Sequence, residues 1–145
     1  MGRVEGFKQR GRNRQSRKRN PIIVIGCEGA NKTEEIYFKN FNTRRCIIKF
    51  STGNSTDPVG IVSDLLNFID NEIGREDGDK YYVILDTDVN QNKQSQIDKA
   101  KKMALDNGVE FITSTPTFEY WYMLHFEYTT KIYHSSEKVQ NDIKD

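Results

Sequence analysis

Four short apolar runs punctuate the chain, and each is followed by a stretch whose apolar residues recur at helical spacing. That alternation constrains the fold more than any other feature. The first run is IIVIG (Ile22–Gly26), rich in β-branched residues, as a strand covered on both faces would be. KTEEIYFKNF follows, with Ile36, Tyr37 and Phe41 on one helical face. Glu34 and Glu35 lie in its first turn, where the helix dipole favours acids. RCIIKF (Arg45–Phe50) reads as a second strand. Asp57-Pro58 then opens a helix whose apolar face is Ile61, Leu65, Phe68, Ile69 and Ile73, with Gly74 near its end. KYYVILD is the third strand. NKQSQIDKAKKMALDNG predicts a helix on Ile97, Ala100, Met103 and Ala104, closed by Asn107-Gly108. VEFIT (Val109–Thr113) is the fourth strand, and STPTFEYWYMLHFEY turns into an amphipathic helix from about Thr117.

The order β-α-β-α-β-α-β-α implies an α/β domain: a Rossmann-like, mostly parallel four-stranded sheet with helices on both faces. At 145 residues the chain suits one such domain, expected over residues 21–128. Thr129–Asp145 has weak periodicity and offers no fifth strand. It is expected to be an extension or the start of a truncated remainder.

Sheets of this kind bind ligands at the carboxyl ends of their strands. Here the first strand ends at Cys27-Glu28-Gly29, the third at Asp86-Thr87-Asp88 and the fourth at Thr113-Ser114-Thr115. Glu28, Asp86 and Asp88 are thereby gathered at one edge. The two aspartates point to the same side of an extended backbone, and like charges that close repel. Water, a capped turn or a cation can relieve them. Mg²⁺ or Mn²⁺ suits the set, because Mg²⁺ takes oxygen ligands and needs only one or two carboxylates.

Around that edge stand further candidates, each with a plainer alternative. Glu119 is a fourth acidic ligand or a favourable first-turn charge. His125 lies two turns into the last helix, as a packing histidine or a catalytic one. Lys32 precedes a helix whose free N–H groups could hold a phosphate oxygen, though Asn31 or Thr33 could simply cap that helix. Phe118, Trp121, Tyr122, Leu124 and Phe126 are expected in the core.

Charge is unevenly spread. Residues 1–20 hold Arg3, Lys8, Arg10, Arg12, Arg14, Arg17, Lys18 and Arg19 against Glu5, a net +7. The whole chain is only +1, so the body is acidic. The arm has too little apolar content to repay its ordering and is expected to be disordered when free. Arg10, Arg12, Arg14, Arg17, Lys18 and Arg19 are candidate phosphate contacts; a solvated leader, or a tail docked on its own acidic body, is the alternative.

Other classes fall away. No apolar run is long enough to span a membrane, and no signal peptide is visible, so a cytoplasmic protein is expected. Cys27 and Cys46 are expected as reduced, buried thiols. TGNST (Thr52–Thr56) lacks the Gly-Lys-Ser/Thr of a P-loop, and Gly26-Cys27-Glu28-Gly29 puts an acid where a dinucleotide's pyrophosphate would sit.

Three blocks, VIGCEGANKTEEIYFKNF (Val24–Phe41), YYVILDTDVN (Tyr81–Asn90) and STPTFEYWYMLHFEY (Ser114–Tyr128), together resemble the RloB family. That is a Toprim-like family of bacterial proteins associated with restriction and phage-defence loci. The resemblance covers roughly residues 20–128. It implies a Toprim-like fold, with Glu28 as general acid/base or metal ligand and Asp86 and Asp88 as metal-binding aspartates. Glu119 and His125 match the last block. Glu35 departs from the pattern, standing where many members have Pro, and members continue past the position where this chain ends.

The resemblance implies a Mg²⁺- or Mn²⁺-dependent nuclease acting on DNA or RNA in phage defence, including abortive infection. An operon-encoded ATPase or other defence protein is the implied partner. The competing expectation is a non-catalytic scaffold module that binds nucleic acid or a partner.

Overall fold

A computed structural model describes residues 18–28, 33–87 and 93–144. Among them, four strands form one sheet in the order β2-β1-β3-β4, and every pairing is parallel. The strands are β1 (Ile22–Gly26), β2 (Ile47–Phe50), β3 (Lys80–Asp86) and β4 (Glu110–Ser114). The helices are α1 (Thr33–Lys39), α2 (Pro58–Phe68), α3 (Gln94–Asp106), α4 (Phe118–Met123) and α5 (Ser136–Lys144). The α/β expectation and its strand order along the sequence are met.

Period-two alternation divides the strands between two cores. Ile22 and Val24 of β1 with Tyr81, Val83 and Leu85 of β3 pack against α2 and α3, through Ile61, Val62, Leu65, Ile69, Ile97, Ala100 and Ala104. Ile25 and Ile84 face the other way. They form a smaller core with Ile48 and Phe118, against which Tyr37 and Phe38 of α1 pack.

Local chemistry fixes the ends. Asp57 caps α2 by accepting from the Gly60 N–H at 2.8 Å, and Pro58 sits in the first turn. α2 runs on into a π-helical turn over Ile69–Ile73, which Gly74 closes at φ 72°. Gly108 ends α3 with the same φ, a conformation that favours glycine.

Two expectations need correction. Ile36 is exposed and Phe41 half exposed, whereas Glu34 is only 2% exposed. The stripe that faces the sheet is Glu34, Tyr37 and Phe38, spaced i, i+3, i+4, and Ile36 lies off it. Second, the last apolar helix is not all core. Phe118 is buried, but Trp121 is 54% exposed and Phe126 76%. α4 is too short to turn all its aromatic residues inward; after Met123 the chain leaves the helix in turns. The segment after Thr129, for which no strand was expected, carries a helix, α5, which packs on α4 and buries Val139 completely.

The start of the body is fastened at the amino edge of the sheet. Asp79, just before β3, accepts both guanidinium nitrogens of Arg19 (2.7 and 2.6 Å), the Ile22 and Glu76 N–H groups, and the Tyr81 hydroxyl. Its side chain is fully buried.

Candidate functional site at the carboxyl edge of the sheet

The strand order creates a topological switch point. From β1 the chain moves outward to β2, and from β3 it moves outward the other way to β4, although β1 and β3 are direct neighbours. β1 and β3 thus end side by side where the chain order reverses, which is the crevice position at which open α/β sheets usually bind ligands.

Acids meet there. Glu28 follows β1, and β3 ends on Asp86. The parallel register pairs Gly26 with Val83, so continuing it brings Glu28 level with the end of β3. Asp86 is held in place, with Oδ1 accepting the Phe118 N–H at the start of α4 (2.9 Å). β4 supports the same edge: Ser114 pairs with Asp86, and its carbonyl accepts the Thr87 N–H at 2.8 Å.

Glu119 reaches this edge from α4 and is nearly buried. Its Oε1 accepts the Thr33 hydroxyl at 3.2 Å, and its Oε2 accepts the Thr117 hydroxyl. Thr117 in turn caps α4 by accepting the Glu119 N–H. Thr33, one of two candidate caps for α1, is that helix's first residue, and its hydroxyl bridges to Glu119 instead.

Glu34, concealed in the sequence by its place in the first turn of α1, also belongs to this acidic group. It is buried, and its Oε2 has no hydrogen-bond partner. Burial foremost, and then repulsion from Asp86, Glu119 and Glu28, pushes its carboxyl up to about 7. The signal was the i, i+3, i+4 stripe with Tyr37 and Phe38, legible only once the sheet-facing side of α1 is known.

Cys27 lies in the same field. Burial, followed by Glu34, Glu35, Asp86 and Glu28, pushes its thiol up to about 12. It stays protonated near neutral pH, which removes it as a thiolate nucleophile. Both cysteines are free.

His125 stands apart from the acids on the aromatic side. It is exposed, its Nε2 lies 3.0 Å from the Tyr37 hydroxyl, and its ring packs against Tyr37 and Trp121. Next to it, a cavity of about 410 Å³ opens between Tyr37, Ile84, Ile112, Phe118 and Trp121. Arg19 is committed to Asp79 at the opposite edge, and Lys18 is exposed beside it. Asp88, Lys32, Arg10, Arg12, Arg14 and Arg17 lie outside the described residues.

The donors at the edge are all carboxylates, the chemistry a hard divalent cation requires. Among the described residues, no three acids, histidines or cysteines stand close enough to enclose one ion. The described side chains form an open acidic rim rather than a closed cage. Mg²⁺ tolerates this, because it keeps several waters and takes one or two carboxylates.

An α/β domain with a parallel sheet and an acidic switch-point crevice is the class defined by fold and site. The RloB-like protein family model matches residues 23–145, and the chain belongs to that family. The match takes in the α5 segment as well as the three sequence blocks. No curated protein and no solved structure gives a significant match. Among the described residues, no helix is long and apolar enough to cross a membrane.

Proposed function

We propose that this protein is a Toprim-type nuclease, dependent on Mg²⁺ or Mn²⁺, that hydrolyses phosphodiesters in DNA or RNA as part of phage defence. The observation that carries the reading is the meeting of Glu28, Glu34, Asp86 and Glu119 at the carboxyl edge, beside the β1–β3 switch point. Bound metal would polarise the phosphate and lower the pKa of water, which is the chemistry such sites supply.

The chain's own residues do the rest. Asp86, and Asp88 as the sequence places it, would hold the ion. Glu28, which follows β1, would serve as a ligand or as the group that takes a proton from the attacking water. The bond from the Phe118 N–H fixes the Asp86 carboxylate before any ligand arrives. Lys32 and the basic residues of the arm would meet the phosphates.

A second reading is kept for one observation, the absence of a three-ligand cage among the described residues. On that reading the acids are not catalytic, and the protein binds nucleic acid or an operon-encoded ATPase as a scaffold. One experiment separates the two: incubation with single- and double-stranded DNA and RNA, with Mg²⁺ and with Mn²⁺, beside Asp86→Asn. Cleavage by the wild type that Asp86→Asn lacks supports the nuclease. Equal behaviour of the two proteins on every substrate removes it.

A further inference from the structure

Most acids near the crevice have partners. Asp86 accepts a helix N–H, and both oxygens of Glu119 accept threonine hydroxyls. Glu34 differs, because it is 2% exposed and its Oε2 is bare. A buried polar atom without a partner forgoes its hydration with nothing in return. The charges that weigh most on it, from Asp86, Glu119 and Glu28, are all of its own sign.

Packing does not explain the choice of an acid. The position lies on the inward stripe of α1 with Tyr37 and Phe38, where an apolar side chain would add to the smaller core. A glutamate there costs stability unless something binds it.

Resting on the nuclease reading above, we propose that Glu34 is a further metal ligand of the acidic edge, receiving a divalent cation jointly with Asp86. Glu119, offered by the sequence for a fourth ligand, acts instead as a positioning residue. Its bond to Thr33 ties the first turn of α1 to α4 and so sets where the neighbouring Glu34 points. The two roles separate experimentally. Removing the Glu34 carboxylate removes a donor. Removing the Thr33 hydroxyl leaves every donor present but less well aimed.

The test measures Mn²⁺ binding to the full chain by electron paramagnetic resonance, together with thermal melting in Mg²⁺ and Mn²⁺. The proteins are the wild type, Glu34→Gln, Glu34→Asp, Thr33→Val and Asp86→Asn. Glu34→Gln is expected to weaken Mn²⁺ binding by about tenfold or more and to lose most of the metal-induced rise in melting temperature. Without metal it should melt no lower than the wild type, since the carboxyl oxygen it replaces makes no hydrogen bond. Glu34→Asp keeps the charge but shortens the reach, so it should fall between the two, and it covers the case in which the glutamine variant folds poorly. Thr33→Val should weaken binding less than Glu34→Gln.

Wild-type Mn²⁺ affinity in both Glu34 variants, with binding lost in Asp86→Asn, overturns the assignment of Glu34 and leaves the metal edge standing. Absence of Mn²⁺ binding in the wild type overturns both.

Discussion

Asp79 and Glu34 are two buried carboxylates with opposite fates. Asp79 accepts five hydrogen bonds, two of them from Arg19, and is held well below the usual carboxylate range, chiefly by the Arg19 guanidinium. Its folded pKa lies below its unfolded one. It therefore contributes stability that is present above about pH 4 and is lost as pH falls through the folded value. Asp79→Ala should cost about 2–3 kcal/mol, because it leaves two backbone N–H groups and the Tyr81 hydroxyl without their acceptor, while Arg19 keeps access to water. Urea unfolding between pH 2.5 and 6 checks this: the wild type should lose stability below pH 4, with a shallower loss in the variant.

Glu34 has the reverse sign. Its folded pKa, about 7, stands above the ordinary glutamate value of 4.5. Stability of the metal-free protein should fall as pH rises from about 4.5 to 7, where the unfolded chain has already released the proton. In Glu34→Gln that fall should shrink, as melting curves across the range would show.

Among the elements, the heaviest burden falls on α2. Leu65 is fully buried between the sheet and its neighbours and lies against Gly26, where an added Cβ would come within 3.1 Å of it. Leu65→Ala should cost about 3–5 kcal/mol. Trp121→Ala should cost far less, about 1 kcal/mol, since half of the side chain already meets solvent. Chemical denaturation of both variants tests the contrast.

This pair also shows what the sequence made legible. In α2 the apolar residues keep helical spacing for three turns, with Asp57-Pro58 at one end and Gly74 at the other. Periodicity and caps agree, so helix and core face could both be read. In α4 the aromatic content was plain, but hydrophobicity does not say how many turns a helix keeps or how much sheet remains to cover. α1 misled for a related reason. Its true stripe contains an acid, and a pattern search for apolar residues passes over it. α5 has only Val139 and Ile143 to mark it, too few to fix a period in nine residues.

At the scale of the whole molecule, the acidic edge was legible because it follows from topology. The position of acids after the first and third strands could be read from the sequence, and the β2-β1-β3-β4 order brought those two strand ends together. Side-chain partnerships were not legible: nothing in the spacing shows that Thr33 would satisfy Glu119 or that Glu34 would be left bare. The charge asymmetry has a counterpart in the fold. Arg19 is clamped at the amino edge, about 16 Å along β1 from the acidic crevice. The basic sequence thus joins the body at the end opposite the proposed chemistry, and binding and cleavage should be separable.

Residues 1–17 hold six Lys/Arg against one acid. If they grip phosphates, deleting them should reduce the slope of log affinity against log salt by up to about 4 for single strands and 5 for duplexes. The truncated chain keeps Arg19, so the clamp on Asp79 and the fold should be retained. Its Mn²⁺ binding should equal that of the full chain. Filter-binding titrations from low to moderate salt, with nucleic acid in Ca²⁺ or chelator to suppress cleavage, give the slope. An unchanged slope would place the phosphate contacts on the body, at Lys32 or at metal held by the acidic edge. In that case Asp86→Asn should weaken binding in Ca²⁺ more than the deletion does if metal carries the contacts, and Lys32→Ala should do so if the lysine carries them.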